Sequence, residues 1–322
     1  EASMMEFTSD KCRTQIVEGE RYGLLRDPQI IRESLRFEPG KDDVVLITYP
    51  TSGTHWMMQI MQLIVYRGSS STTHVEFLKR SPILEDYGER ISEVTTNSHP
   101  RILTTHLRPG LLKINQSSKY VYVARNPWDL CASLHDRSRQ IPLYPLRATF
   151  QEFVPMFCQG YLPYGSYFDH VSAACKLRNE PNVFFVTYEE ITENTAGVIV
   201  RLADFLGENH GKAVREDSEL LNDIVRKCST DFMKEMMTVP MSDMAKAVVK
   251  NKKLLPLINV GTPKDDAEYV KFVRHARVNR WREVFTKQQL RETLLHIEKI
   301  GNGGFVKQLW GETWREVTKA SK

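Results

Sequence analysis

Residues Tyr49–Trp56 read YPTSGTHW, and the segments on either side of them indicate the fold. An apolar run, Val44–Tyr49 (VVLITY), precedes them and is typical of a buried strand. Apolar residues at helical spacing follow in Trp56–Tyr66, which predicts an amphipathic helix. A loop between a strand and a helix presents backbone N–H groups where anions bind, and Gly53 lets a phosphate come close. We interpret the loop as an anion site; a plain turn capped by Ser or Thr is the alternative.

Three more apolar runs are predicted to be buried strands, because β-branched and aromatic residues dominate them. They are Arg101–Thr105, Tyr120–Ala124 and Val183–Thr187. Helical patterns lie between and after them, among them Asn194–Leu206 with an Asn cap, and Lys287–Ile300. Strands that alternate with helices predict an α/β fold: a single domain with a mostly parallel central sheet, flanked by helices, with a P-loop-like anion loop.

Polar side chains follow each of these predicted strands. His106 follows the second strand, Arg125 and Asn126 follow the third, and Tyr188 and Glu189 follow the fourth. In open parallel sheets, ligands bind at the carboxyl ends of the strands. Four separate segments, counting the loop, are therefore expected to deliver polar groups to one edge of the sheet.

The composition is that of an ordinary globular protein, with 322 residues of which 41% are hydrophobic and 26% charged. No linker, repeat or low-complexity run divides the sequence, so we expect one domain over residues 1–322, with a flexible N-terminal segment at residues 1–20. A net charge of +4 with interspersed signs disfavours nucleic-acid binding and is compatible with a small anionic ligand.

No stretch approaches the roughly 20 apolar residues of a membrane span, and the first residues lack the apolar core of a signal peptide. The five cysteines are odd in number and widely spaced, which argues against a disulfide scaffold and a zinc site. The nine histidines show no metal-ligand spacing. We therefore expect a cytoplasmic protein with no membrane partner and no bound metal.

Several motifs, in order along most of the chain, resemble those of the cytosolic sulfotransferases, which use 3′-phosphoadenosine 5′-phosphosulfate (PAPS). YPTSGTHW is similar to the family's 5′-phosphosulfate loop, whose usual form is YPKSGTTW. The other matches are THLRP at Thr105–Pro109, YVARNPWDLCAS at Tyr122–Ser133, YGSYFDHV at Tyr164–Val171, TYEEI at Thr187–Ile191 and, more weakly, RHARVNRW at Arg274–Trp281. The GxxxxGK[ST] pattern is absent, which disfavours a nucleotide kinase of related fold.

The resemblance implies PAPS as donor, 3′-phosphoadenosine 5′-phosphate (PAP) as product, and a nucleotide site. The residues of that site would be Thr51, Ser52, Gly53, Thr54, His55, Trp56, Arg125, Ser133, Tyr188, Arg274, His275 and Ala276. Arg125, Ser133 and Arg274 match positions that hold the 3′-phosphate, and Trp56 and Tyr188 match the aromatics at the adenine. A surface ion pair for Arg125 and plain core packing for the aromatics are the alternatives.

The resemblance also assigns the reacting end of the site. His106 matches the family's catalytic histidine, and a histidine has a suitable pKa to take the acceptor proton, although a lone histidine at a strand end is more often structural. Aromatic residues lie in the segments that the family uses for its acceptor pocket: Phe77, Tyr144, Phe153, Phe157 and Tyr164. Such a pocket suits a small hydrophobic partner, namely a phenol, a biogenic amine or an alcohol, although core packing also accounts for such aromatics.

The sequence departs from the family at residues that lie near the reacting sulfuryl group in that family. Thr51 and Thr104 stand where the family has lysines near the transferring sulfuryl group, and losing one such donor costs about 100- to 1,000-fold in rate. Arg108 could replace part of that charge. Two hypotheses stay open: an active sulfotransferase, or a catalytically weakened relative that binds nucleotide or a small ligand. Arg291 replaces the acid of the family's dimer motif, which leaves the oligomeric state open as well.

Overall fold

The computed structural model describes Cys12 and residues 14–94, 100–140, 146–240, 269–271, 273 and 277–322. The strands are β1 Thr14–Val17, β2 Glu20–Gly23, β3 Asp43–Thr48, β4 Arg101–Thr105, β5 Lys119–Ala124, β6 Val183–Thr187, β7 Thr238–Pro240 and β8 Tyr269–Lys271. Among the described helices, none combines the length and the apolar character needed to cross a bilayer.

The α-helices before β6 are α1 Pro28–Arg36, α2 Thr54–Val65, α3 His74–Arg80, α4 Leu84–Tyr87, α5 Ile91–Val94, α6 Pro127–Gln140, α7 Phe150–Gln159 and α8 Tyr167–Leu177. Those after it are α9 Tyr188–Glu193, α10 Thr195–Leu206, α11 Glu208–Glu216, α12 Ser218–Lys227, α13 Thr230–Met236, α14 Trp281–Val284, α15 Lys287–Lys299, α16 Gly303–Leu309 and α17 Gly311–Ala320. Short 3₁₀ turns cover Gly88–Arg90 and Pro109–Leu111.

The central sheet has the order β4-β3-β5-β6, and all three strand pairings are parallel. All four predicted strands are confirmed, and their observed ends differ from the predicted ones by at most one residue. The prediction succeeds because strands covered on both faces are apolar along their whole length. The predicted α/β fold with a parallel central sheet flanked by helices is therefore confirmed.

Apolar layers cover both faces of this sheet. Along β3, Val45 and Ile47 belong to one buried cluster, whereas Val44 and Leu46 belong to another. The alternation follows from the two-residue period of a strand, which sends successive side chains to opposite faces. The first cluster includes aromatic residues of α6, α7 and α8, and the second includes apolar residues of α2 and α10. The sheet is thus held rigidly between helices, and its carboxyl edge is a firm support for a site.

The predicted helix boundaries are close to the observed ones. α2 begins at Thr54, two residues before the predicted start, because Gly53 already accepts a bond from the backbone N–H of Met57 at 3.0 Å. The predicted Asn cap of α10 is confirmed, since Asn194 Oδ1 accepts from the backbone N–H of Gly197 at 2.9 Å.

Residues 14–20, the last part of the segment expected to be flexible, belong to regular structure. β1 pairs with β2 in an antiparallel hairpin, and Val17 and Tyr22 are buried in it. Glu18 and Gly19 form the turn with φ of 50° and 80°, as a two-residue hairpin turn that matches the strand twist requires. The strands are four residues each and only partly apolar, so they give a weak pattern in the sequence.

Candidate functional site

Polar residues from four strands meet at the carboxyl edge of the sheet, as predicted. The strand order places His106 after β4, the β3–α2 loop (residues 49–53) next to it, then Arg125 after β5 and Tyr188 after β6. The loop therefore lies between His106 on one side and Arg125 with Tyr188 on the other. A ligand anchored on the loop can reach a histidine at one end and an arginine and an aromatic ring at the other.

The backbone of the β3–α2 loop is held in an uncommon conformation. Thr51 has a φ of 67°, which is an outlier for a β-branched residue, and Gly53 has a φ of 105°. A Cβ on Gly53 would lie 2.8 Å from Cδ2 of Tyr188, so no larger residue is tolerated there without movement. For a non-glycine residue such as Thr51, this conformation costs about 1–3 kcal/mol, and such residues cluster at ligand sites. The loop shape is therefore consistent with a binding role.

Four buried polar atoms around the loop have no hydrogen-bond partner among the described residues. They are Thr51 Oγ1, Ser52 Oγ, Trp56 Nε1 and Arg125 Nε. An unsatisfied buried group costs about 1–3 kcal/mol, so a cluster of them requires an explanation. All four can donate a hydrogen bond, and a ligand rich in acceptor oxygens, such as a phosphate or sulfate ester, would satisfy them.

Arg125 connects the loop to the C-terminal part of the chain. Its Nη1 donates to the backbone oxygen of Thr51 and its Nη2 to that of Arg277, both at 3.1 Å. Its guanidinium carbon lies 4.2 Å from the ring centroid of Tyr188. Tyr188 in turn meets Trp56 edge to face, with centroids 5.2 Å apart. Arg125, Tyr188 and Trp56 thus line this side of the loop, and we call them the Arg125 wall.

His106 is held in one tautomer by the neighbouring strand. Its Nδ1 lies 2.8 Å from the backbone oxygen of Thr48, and a carbonyl oxygen only accepts, so Nδ1 carries the proton. Neutral His106 therefore has its lone pair on Nε2, and no described residue bonds that atom. Burial lowers the pKa of His106, and the charge of Glu85 offsets the shift only in part. The side chain is thus a neutral base near neutral pH.

The backbone around His106 is fixed by residues that sequence reasoning missed. Glu85, fully buried, accepts from the Thr105 hydroxyl and the His106 backbone N–H, both at 2.8 Å. His170 Nε2 donates to the backbone oxygen of His106 at 3.1 Å, and its Nδ1 accepts from the Tyr122 hydroxyl at 2.8 Å. Neither Glu85 nor His170 stands in a spacing pattern that predicts these contacts.

A buried carboxylate holds the C-terminal segment beside Arg125. Asp129 is fully buried on α6, and its two oxygens accept from the backbone N–H groups of Trp281 at 2.9 Å and Asn279 at 2.7 Å. Asn126 caps the same helix by accepting from the Asp129 N–H at 2.9 Å. The Asn-x-x-Asp spacing predicts that cap, whereas the bonds to residues 279 and 281 span about half the chain and leave no local signal.

The aromatic residues predicted for the acceptor pocket are found in two settings. Phe77 lies against His55, with ring centroids 6.1 Å apart, and Tyr164 meets His106 at 5.3 Å. Phe153 and Phe157 lie in the buried core, where Phe157 stacks on Tyr167 at 6.0 Å. Tyr164 is thus in contact with His106 and Phe77 with His55, while core packing accounts for the contacts of the other two.

Other predicted residues are placed as follows. Ser133 lies on α6, one turn after Asp129, and no described contact joins it to Arg125. Arg108 forms an ion pair with Glu20, so its charge is already matched. Thr104 is fully buried, and its hydroxyl donates to the backbone oxygen of Ser81 at 3.3 Å. The predictions for Tyr144, Arg274, His275 and Ala276 lie outside the described residues.

Arg291, and Arg282 at the first position of the same altered motif, contact the C-terminal end of the same chain. Arg282 pairs with Glu316 of α17 at 2.6 Å. Arg291 donates to the backbone oxygen of Ser321 at 3.0 Å, where the positive charge also suits the carboxyl end of the helix. Both residues therefore have intramolecular partners, and the oligomeric state stays open.

Comparisons with known proteins identify a family and several relatives. The sequence profile of the sulfotransferase domain family matches residues 41–300. Sulfotransferase 1E1 of Bos taurus is 28% identical over 279 residues, or 84% of this chain and 87% of the relative. Sulfotransferase 1E1 of Mus musculus is 30% identical over 254 residues, or 76% of this chain and 84% of the relative.

Solved structures share the fold. Mouse sulfotransferase SULT7A1 complexed with PAP has a TM-score of 0.68 at 23% identity, and the match covers 93% of this chain and 98% of that one. A retinol dehydratase in a complex with retinol and PAP has a TM-score of 0.63 at 20% identity, over 84% of this chain and 85% of that one. From the profile match and the relatives, we conclude that the chain belongs to the sulfotransferase family.

Proposed function

We propose that this chain is a PAPS-dependent sulfotransferase that transfers a sulfuryl group to the hydroxyl or amine of a small hydrophobic acceptor. The observation that carries the proposal is the group of buried, unsatisfied donors at the β3–α2 loop, next to a histidine whose Nε2 lone pair is available. The relatives named above are sulfotransferases, which favours this chemistry over other uses of an anion site. A cytoplasmic location is part of the same proposal.

The nucleotide would be held on the side of Arg125. Ser52 and Thr51 would donate to the phosphosulfate oxygens, together with the backbone N–H groups at the start of α2. Arg125 would meet the 3′-phosphate, since a guanidinium pairs well with phosphate oxygens. Trp56 and Tyr188 would contact the adenine. Gly53, Thr54, Ser133 and residues 274–276 complete the set that the family resemblance assigns.

The reaction then needs one base and a stabilised transition state. The acceptor oxygen or nitrogen forms a bond to sulfur, the sulfur–oxygen bond to the 5′-phosphate breaks, and His106 Nε2 receives the acceptor proton. The Nδ1–H bond to Thr48 stabilises the protonated imidazole after the transfer. The loop donors would supply the electrostatic stabilisation, in place of the lysines that Thr51 and Thr104 replace.

The second candidate is a relative that binds nucleotide without efficient turnover. Arg108 is paired with Glu20, and the hydroxyl of Thr104, which stands at one of the lysine positions, is bonded to the backbone of Ser81. Neither side chain is therefore placed to supply the charge of a lost lysine, which favours this second candidate. Loss of both donors would lower the rate by several orders of magnitude if nothing compensates.

A turnover assay separates the two candidates. Purified protein with radiolabelled PAPS and a panel of phenols, alcohols and amines should yield sulfated product from at least one acceptor, and His106→Ala should abolish the product while PAP binding persists. Binding of PAP without product from any acceptor would support the weakened relative instead. Product formation that survives His106→Ala would remove His106 from the proposed role.

A further inference from the structure

The side chain of Thr48 lies between His106 and the start of α2. Thr48 is the last residue of β3 and is fully buried. Its Oγ1 lies 3.2 Å from Nδ1 of His106 and 2.8 Å from Oγ1 of Thr54, the first residue of α2. The three side chains therefore join the proposed base to the helix start that follows the β3–α2 loop. We call Thr54, Thr48 and His106 the hydroxyl chain.

The protonation of His106 fixes the direction of the bonds in the hydroxyl chain. Nδ1 donates its proton to the backbone oxygen of Thr48 at 2.8 Å, so this nitrogen has no lone pair with which to accept. The hydroxyl of Thr48 can therefore accept from Nδ1 but cannot donate to it. Within the described ranges the other partner of that hydroxyl is Thr54 Oγ1, so the Thr48 hydrogen is donated to Thr54.

The hydroxyl of Thr54 is left with a hydrogen to donate. It accepts from Thr48, and its Oγ1 makes no other hydrogen bond in the described part of the chain. Thr54 is 5% exposed, and the loop before it carries Thr51 Oγ1 and Ser52 Oγ, which are buried without a partner among the described residues. Backbone N–H groups at a helix start favour an anion at the same place. An oxygen of a 5′-phosphate or phosphosulfate is the acceptor that would complete the hydroxyl chain.

Hydrogen bonds in such a chain strengthen one another, because each acceptor polarises the donor before it. A negatively charged oxygen that accepts from Thr54 makes a stronger bond than a neutral acceptor does. It polarises the hydroxyls of Thr54 and Thr48 and so strengthens the bond that His106 Nδ1 donates to Thr48. More electron density is then left on the imidazole ring, and Nε2 becomes a stronger base.

We propose that Thr48 is a positioning residue that couples occupancy of the nucleotide site to the strength of the base at His106 Nε2. This inference rests on the proposed function and goes beyond it, since the family resemblance assigns no role to Thr48. Without nucleotide, Thr54 has only water to donate to, and the base is weaker. The acceptor proton is therefore taken most readily when the sulfuryl donor is in place.

Other groups also act on His106, from the elements packed around it. Burial lowers its pKa, Glu85 and the bond to the Thr48 backbone oxygen raise it, and the charge of Arg26 lowers it. Arg26 pairs with Asp86, and Glu85 accepts from the His106 backbone N–H, so both are fixed in place. Further neighbours are His55, His170, Tyr164 and the ion pair of Arg108 with Glu20. These contacts do not involve the Thr48 hydroxyl, so its removal leaves them unchanged.

Thr48→Val tests the coupling, because it removes the hydroxyl and keeps the shape and the backbone oxygen. The pKa of His106 is measured by NMR in protein with isotope-labelled histidine, with and without saturating PAP; His106→Gln identifies the signal. In the wild-type protein PAP should raise this pKa by about half a pH unit or more. In Thr48→Val the charge of PAP still acts through space, and the rise should be less than about half the wild-type value. An equal rise in the two proteins, or no rise in the wild type, would overturn the coupling.

Thr48→Ser is the matched control, since it keeps the hydroxyl and removes only the methyl group. It should retain the wild-type rise in the pKa of His106. A loss as large as that in Thr48→Val would assign the effect to packing and overturn the coupling.

One measurement needs no variant and stands even if Thr48→Val fails to fold. The Nδ1 proton resonance of His106 should move downfield when PAP binds, because the bond that it donates to Thr48 strengthens. A resonance that PAP leaves unmoved would contradict the proposed coupling.

Titration of the wild-type protein with PAP separates this inference from the proposed function. If PAP binds and the pKa of His106 stays the same, or rises equally in Thr48→Val, the inference fails alone. If PAP does not bind, the proposed function fails, and the inference fails with it.

Discussion

At the residue scale, the tautomer of His106 decides what the side chain can do. The bond from Nδ1 to the Thr48 oxygen leaves the lone pair on Nε2, and burial lowers the pKa below its usual 6.5. In the proposed mechanism the neutral form is the base, so activity should be lost as pH falls through this lowered pKa. We expect kcat/KM to be flat near pH 7 and to fall at acidic pH with a midpoint below 6.5. A pH–rate profile checks this, and an acid limb centred above 6.5 would contradict it.

Thr51 combines an uncommon backbone conformation with an unpartnered hydroxyl. Thr51→Lys restores the family's charge at the loop and removes the β-branch at a φ of 67°. We expect sulfuryl transfer to rise by about tenfold or more, because one such donor is worth about 100-fold or more in rate. Thr51→Ser is the control, since it relieves the β-branch without adding charge. An equal rise in rate for both variants would show that relief of backbone strain, and not the added charge, causes the change.

His170 makes stability depend on pH. Burial lowers its pKa to about 3, so between about pH 6.5 and 3 the unfolded chain binds a proton that the native chain does not. The free energy of unfolding should therefore fall with decreasing pH, by about 1.4 kcal/mol per pH unit from this residue. His170→Gln should remove that part of the slope in urea unfolding measured at pH 7, 6, 5 and 4. A variant with the full wild-type slope would show that other groups carry it.

At the scale of elements, α6 holds the segment 277–281 beside Arg125, on the side proposed to bind the nucleotide. Asp129 accepts from the backbone N–H groups of residues 279 and 281, and Arg125 bonds to Arg277 in the same segment. Asp129→Asn places an amide N–H against a backbone N–H and should loosen the segment. We expect PAP affinity to fall by about tenfold and the affinity for adenosine 5′-monophosphate, which lacks the 3′-phosphate, to stay within twofold.

The control for this prediction lies on the same helix. Asp136 pairs with Arg280 and is partly exposed, so Asp136→Asn removes a surface ion pair of small energetic value. It should leave both affinities nearly unchanged. Parallel losses of PAP and adenosine 5′-monophosphate affinity in Asp129→Asn would indicate general destabilisation and not a positioning role.

Strands could be predicted from the sequence where burial of both faces makes their apolar residues continuous. The strands β3 to β6 are apolar on both faces, and the edge rule then placed His106, Arg125 and Tyr188 together. The hairpin β1–β2 could not be predicted, because its strands are short and partly polar. Contacts such as Asp129 to Trp281 or Glu85 to His106 join distant segments through backbone groups, which no local spacing records.

At the scale of the whole molecule, strand order separates the two halves of the proposed site. Because β3 lies between β4 and β5, the loop divides His106 from Arg125 and Tyr188. The sequence predicted which residues reach the edge but not that His55 would contact Phe77 of α3 while Trp56 contacts Tyr188. That difference in contacts depends on where α3 packs, which the pattern of the loop does not contain.

The proposed function requires that the loop and the Arg125 wall bind a nucleotide with both a 5′- and a 3′-phosphate. Isothermal titration of the purified protein with PAP measures this binding, with adenosine 5′-monophosphate as the comparison ligand. We expect one site per chain, a micromolar or tighter Kd for PAP, and at least about tenfold weaker binding of adenosine 5′-monophosphate. No detectable binding of PAP, or equal affinity for the two nucleotides, would contradict it.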